Sequence, residues 1–273
     1  MRGFAMTLAA CAACGFRPAP STGDAPPMAD GSMVAGDVTI PGDGTLAGDA
    51  PSNPCHTTDA SLRLCLELDE PGLAMATIAL DSSGHAHDPA IANLTATMRT
   101  VPAPSAAVQL SSSSTITLAQ DNDFNLQQFT LTAWMKRGGS NPAQTQGVVD
   151  TGAQYSLSID TFGRVQCGVT HNGTTTYPGL AQTNGNEWDL VACTYDGTNL
   201  CGYVFPNGSA SATTACNGYT QSLDTNAGYG TTIGRWAVPT SGSQFVGSLD
   251  QVRIYARALS KHDLCTAAGL SGC

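Results

Sequence analysis

Apolar and polar residues alternate in short runs along most of the chain after Cys55, and Gly, Asn, Asp, Ser or Pro punctuate the gaps between runs. A period of two sends successive side chains to opposite faces of an extended backbone, so the pattern predicts half-buried strands joined by turns. The runs are Leu62 to Leu68, Ala107 to Leu110, Thr115 to Leu118, Phe129 to Lys136, Gly147 to Asp150, Tyr155 to Ile159, Val165 to Thr170, Asp189 to Tyr195, Leu200 to Phe205, Thr231 to Gly234 and Phe245 to Ala256. Within the fourth, Phe129, Leu131, Ala133 and Met135 share a face predicted to be core, and Thr130, Thr132, Trp134 and Lys136 share the other. The last run changes phase, with Phe245, Gly247 and Leu249 on one parity and Val252, Ile254 and Ala256 on the other. Both sets stay buried only if a bulge or bend lies near Asp250. One short helix is predicted from Ser260, whose hydroxyl caps it with Asp263 in the capping-box position. The expectation is an all-β protein with one C-terminal helix.

The front of the chain has no such pattern. Met1-Arg2, an apolar run from Gly3 to Ala10 and the stretch Leu8-Ala9-Ala10-Cys11 fit a signal peptide with small residues before the cut. Leu8 to Cys11 resembles a bacterial lipobox, which implies removal of residues 1–10, lipidation of Cys11 and anchoring to a membrane without spanning it. An ordinary secretory signal cut elsewhere is the other reading, and both export the protein. Ala12 in place of aspartate implies, by the same resemblance, the outer membrane. Residues 11–54 then form a lipidated Cys followed by a Pro-, Gly- and Asp-rich tether. Without periodic apolar positions it buries no core, and as a coil it spans on the order of 35 Å or more. Residues 55–273 suffice for one sandwich domain.

Charge narrows the partners. The formal net charge is −10, and Lys136 and Lys261 are the sole lysines, so a phosphate-tracking surface for nucleic acid is excluded. Beyond Cys11 and Cys14 the cysteines form an even set: Cys55, Cys65, Cys167, Cys193, Cys201, Cys216, Cys265 and Cys273. None has the spacing of a zinc cluster, so cystines of an exported protein are expected. Short loop closure favours Cys201 with Cys216 and Cys265 with Cys273, and neighbouring strands favour Cys167 with Cys193, although eight cysteines allow about 105 connectivities.

Three stretches in order, F-T-L-T-A-W-M-K at Phe129 to Lys136, W-D-L-V-A-C-T-Y-D-G at Trp188 to Gly197 and F-V-G-S-L-D-Q-V-R-I-Y-A-R-A-L-S at Phe245 to Ser260, resemble strands of LamG-like domains. The resemblance covers about residues 60 to 265 and implies a two-sheet antiparallel jelly-roll sandwich of concanavalin A-like type. Tyr195-Asp196-Gly197 and Pro206-Asn207-Gly208 resemble the turns flanking a family hairpin, with Asn207 where the family usually has Asp. The same sandwich carries glycoside hydrolases, but the E-x-D-x-x-E pattern of the laminarinase-like branch is absent. Glu67 and Glu70, three apart, are expected on opposite faces of a strand and unable to flank one bond. There is no G-x-S-x-G elbow, and His171 before Asn172-Gly173 belongs at a hairpin end. No catalytic residue is assigned.

Binding chemistry is the remaining direction. Trp134, off the predicted core parity, and Trp236, in a loop-like stretch, are candidates to stack on sugar rings, or else they cover the second sheet. Calcium on a rim is implied by the family, with Asp121, Asn122, Asp123 and Asp250 as candidate oxygen ligands; solvated turns, or a structural role for Asp250 at its bulge, are the alternatives. His85 and His87 lack an evident third ligand and follow Asp81-Ser82-Ser83-Gly84, a family D-x-S-G loop, so a solvated loop is expected there rather than zinc. The expected function is a cell-surface lipoprotein module binding a glycan or an extracellular protein without chemistry. A polysaccharide-cleaving enzyme and a purely structural module are the rivals.

Overall fold

The computed structural model describes Cys55 and residues 58–273, apart from residues 153, 227 and 238–242 and the side chains of 178–180. The expected signal peptide, lipidated Cys11 and tether therefore lie outside the described residues. Strands β1 (Leu62–Leu66), β2 (Ala90–Ala92), β3 (Thr95–Arg99), β4 (Ser105–Leu110), β5 (Thr115–Thr117), β6 (Phe129–Arg137), β7 (Gln146–Asp150), β8 (Tyr155–Ile159), β9 (Arg164–His171), β10 (Thr174–Gln182), β11 (Asp189–Tyr195), β12 (Asn199–Phe205), β13 (Thr213–Gly218), β14 (Thr232–Ile233) and β15 (Gly247–Tyr255) are followed by α1 (Lys261–Ala267). One sheet has eight strands in the order β13-β12-β11-β6-β15-β4-β3, with β1 also on β15, and the other has seven in the order β10-β9-β8-β7-β14-β5-β2. Every strand pairing is antiparallel.

Between the sheets the alternating apolar residues meet. Phe129, Leu131, Ala133 and Met135 of β6 join Leu157 of β8, Val165 and Val169 of β9 and Ile233 of β14 in one buried cluster. The phase change in β15 is a bulge: its register with β6 shifts between Asp250 and Arg253, and Gln251 takes φ 47°. Leu249 before it and Val252 and Ile254 after it thereby all reach the same core.

Four cystines stitch the body: Cys55–Cys65, Cys167–Cys193, Cys201–Cys216 and Cys265–Cys273. Cys201 and Cys216 face each other across β12 and β13. Cys167 lies on β9 and Cys193 on β11, so this bond crosses the core from one sheet to the other.

The far side of the eight-stranded sheet carries a second core. Trp134, Trp188, Leu190, Phe205 and Tyr255 pack there against Leu259, Leu264 and Cys265 of the C-terminal segment. Helix α1 forms here because Ser260 Oγ accepts from the Asp263 amide at 3.1 Å while Asp263 Oδ2 accepts from the Ser260 amide at 3.2 Å, closing the capping box. At its other end buried Arg253 donates to the Ala267 carbonyl at 3.0 Å, placing positive charge where the helix dipole is negative.

Turn chemistry fixes the loops. Asn172 and Gly173, both at positive φ, join β9 to β10, with His171 at the hairpin end. Asn207 and Gly208, also both at positive φ, follow β12. Asp196 accepts from the Thr198 and Asn199 amides at 2.7 and 2.6 Å. Burial works to raise its carboxyl, but these bonds and that from the Thr198 hydroxyl hold it down to about 2.

Candidate functional site

The tryptophans separate by environment. Trp134 does not reach solvent: it is 0% exposed in the second core, with the Arg99 guanidinium 4.9 Å from its ring centre. Its parity was read correctly as opposite to the main core, but α1 and the C-terminal segment cover that face, so it is not a sugar platform. Trp236 is half-buried on the outer side of the seven-stranded sheet, 6.5 Å from Tyr177 of β10 in an edge-to-face arrangement. Its Nε1 donates to the Thr145 carbonyl at 3.3 Å, and the neighbouring Ala237 amide donates to Asp150 Oδ2 at 2.7 Å.

Beneath Tyr177 lies Gly168, where an added Cβ would sit 2.7 Å from the tyrosine ring and 2.4 Å from Ser156 Oγ. The missing side chain leaves room for the ring against the sheet. Ser156, Ser158, Gln166 and Thr170 share this face, being opposite in parity to core residues Leu157, Cys167 and Val169. Tyr177 is 38% exposed, and its hydroxyl is pushed up by burial and then by the charge of Asp150. The result is an aromatic pair beside hydroxyls, an amide and an engaged carboxylate. Sequence reasoning missed Tyr177, because Thr174 to Gln182 contains Pro178-Gly179 and shows no clean alternation. The Asn172-Gly173 turn was the signal that a return strand follows.

The expected calcium ligands do not assemble as one oxygen cage. Asp250 is 0% exposed on the second-core side, where Arg99 Nε donates to its Oδ2 at 2.6 Å. Burial pushes its carboxyl up to about 6 despite Arg99. It is a bulge residue in an ion pair, not a rim ligand. Asp121 caps a 3-10 turn (Asn122–Phe124), accepting from the Asp123 amide at 2.9 Å, and Asn122 Oδ1 accepts from Asn125 Nδ2 at 3.0 Å. Asp123 instead meets the two histidines set aside as a solvated loop: its Oδ2 lies 3.1 Å from His85 Nδ1 and 3.2 Å from His87 Nε2. Burial works to raise this carboxyl, and the His87 hydrogen bond with the charges of His85, His87 and Arg63 outweighs it and holds the group below the usual carboxylate range. A mixed imidazole and carboxylate set does not match the all-oxygen preference of calcium.

Glu67 and Glu70 are not placed on a strand at all. β1 stops at Leu66, and Leu68 turns to φ 56°, so parity does not separate the two carboxylates. Glu70 Oε1 accepts from the Leu80 amide at 3.1 Å. Asp69 between them is raised by burial and then by the charges of Glu67 and Glu70.

Two antiparallel sheets of this order, with a match to the family model over residues 110–265, decide the kinship. The chain belongs to the concanavalin A-like lectin/glucanases superfamily. Among solved structures it is similar to domain 4 of AbnA, an extracellular arabinanase from Geobacillus stearothermophilus, in complex with arabinotriose. The TM-score there is 0.58 at 17% identity, over 77% of this chain and 99% of that one. It is also similar to the binding domain of Paraclostridial Mosquitocidal Protein 1, with TM-score 0.56, 16% identity and coverage of 76% and 51%. A botulinum neurotoxin type C structure, whose cell entry depends on two ganglioside molecules, gives 0.54, 13%, and 77% and 51%. The chain spans about half the length of these two toxin chains. At such identities the likeness is one of fold. No curated protein matches the chain.

Proposed function

We propose that this superfamily member is a non-catalytic carbohydrate-binding module, held at the cell envelope by a lipid on Cys11, and that its glycan stacks on Tyr177 and Trp236. The observation that carries the reading is the Tyr177–Trp236 pair, a partly open aromatic surface on the outer face of the seven-stranded sheet. The apolar C–H face of a pyranose or furanose ring stacks on such rings, while the half-buried Gln166 amide on the same face offers a partner to its hydroxyl groups. Similar folds bound to arabinotriose or dependent on gangliosides support a saccharide over a protein ligand. Asp150, the carboxylate beside the pair, is engaged by the Ala237 amide, which supports binding without chemistry.

Export is supported by the four cystines and by Leu8 to Cys11. Labelled fatty acid is expected to enter the protein in its native host and to be lost in Cys11→Ala; equal labelling of both removes the anchor from the account.

A panel of polysaccharides, including arabinans and sialylated glycans, tests the binding. Retention of at least one glycan is expected, with affinity reduced at least tenfold in Trp236→Ala and Tyr177→Ala, corresponding to about 1.4 kcal/mol or more per ring. No release of sugar is expected. Hydrolysis of any retained glycan would transfer the reading to an enzyme, and undiminished binding by both variants would move the site elsewhere.

A further inference from the structure

We propose that His85, His87 and Asp123 form a site for a divalent transition-metal ion of the zinc kind, on the rim of the sandwich and independent of the glycan-binding face. One donor atom from each of the three residues lies within 4.8 Å of the other two, and Asp123 Oδ2 stands 3.1 Å from His85 Nδ1 and 3.2 Å from His87 Nε2. Ligands about 2.0–2.1 Å from one zinc ion stand roughly 3.3 Å apart in a tetrahedron, so both nitrogen–oxygen separations already fit. The three side chains are 32%, 12% and 44% exposed, so an ion enters from solvent and retains a position for water or a ligand group. Two imidazoles and one carboxylate suit zinc or its first-row neighbours.

The chain around these atoms holds them in place. Asp81 Oδ1 accepts from the Cys65 amide at 2.9 Å and the Ser83 amide at 3.0 Å, while its Oδ2 accepts from the His87 amide at 3.0 Å. The His85 amide donates to Ser83 Oγ at 3.2 Å, and Ala86 between the histidines adopts φ 60°. The loop is thereby tied to β1, and the two rings run nearly parallel, 7° apart. The His87 ring packs 4.8 Å from buried Phe124, next to Asp123 in sequence.

A second carboxylate stands behind His87. With Nε2 on the metal, Nδ1 carries the proton and faces Asp121 Oδ2 at 3.8 Å, the carboxylate behind a ligating histidine that metal sites commonly use. On His85 the ion has an opposing consequence: Arg63 Nη1, 3.4 Å from Nε2, must turn from it and keep its bond to the Ala60 carbonyl.

Calorimetric titration of the full chain with zinc chloride tests the site. One zinc ion per chain is expected. Affinity should fall at least tenfold in His87→Gln and in Asp123→Asn and be lost in His85→Ala/His87→Ala, whereas His171→Ala and His262→Ala bind as the parent does. Circular dichroism should show all variants folded, and a variant that fails this check is replaced by Asp123→Asn, which changes one exposed group. No stoichiometric zinc binding, unchanged binding in the double variant, or preference for calcium over zinc would each overturn the proposal.

Discussion

Trp134→Ala is expected to lower the unfolding free energy by about 3–5 kcal/mol, the range for deleting a large aromatic side chain from a core. The indole is fully buried under the C-terminal segment, stacks with Arg99 and lies opposite Asp250 in the β6–β15 register. Removing it leaves a cavity between the sheet and α1 and strips the Arg99–Asp250 pair of its cover. Trp134→Phe should cost much less. The indole Nε1 has no hydrogen-bond partner among the described residues, so the phenyl ring gives up some contact but also removes an unsatisfied buried donor. Chemical denaturation of the three proteins checks the order. Equal stability of the alanine variant and the parent would show that this face is not the second core described above.

The second large effect concerns the cystine between the sheets. Cys167→Ala/Cys193→Ala is expected to lose about 3.5 kcal/mol on chain-entropy grounds, because the bond closes a loop with a sequence separation of 26. Removing Cys265–Cys273, with a separation of 8, should cost about 2.5 kcal/mol on the same basis. Both sulfurs of the longer bridge are also fully buried, so the alanines leave a gap in the main core and add to the difference. Denaturation midpoints of the two double variants decide this. The reverse order would mean that β9 and β11 are held together chiefly by packing rather than by the bridge.

Much of the fold was legible because interior strands bury at least one full face, and burial writes a period of two into the sequence. β6, β8, β9 and β11 were all readable for that reason. So was the bulge at Asp250, since a phase change in a buried strand has few other solutions. The four strands that escaped, β2, β3, β10 and β13, are the outermost strands of the two sheets. They have a neighbour on one side only, and their residues, such as Thr213 to Gly218, are mostly exposed, so nothing forces alternation. β10 even contains Pro178, which an edge strand tolerates next to its register shift between Thr176 and Gly179.

The candidate sites were harder to read, for a related reason. Parity told which way Trp134 points, but not that a helix more than a hundred residues later covers it. The histidines were visible as a pair without a third ligand, because Asp123 arrives from 36 residues further along, on a turn whose position depends on the folded sandwich. Tyr177 meets Trp236 only because β10 and the segment after β14 both border the outer face of the seven-stranded sheet. Local sequence records what each strand buries; it does not record which loops converge.

Indole amide signals give the most direct measurement of where sugar binds. The chain contains Trp134, Trp188 and Trp236, of which the first two are buried in the second core and the third lies beside Tyr177. Titrating nitrogen-15-labelled protein with an oligosaccharide of the retained glycan should shift the Trp236 indole resonance progressively and leave those of Trp134 and Trp188 in place. Saturable binding that leaves the Trp236 resonance unmoved would contradict the assignment of this face as the carbohydrate site.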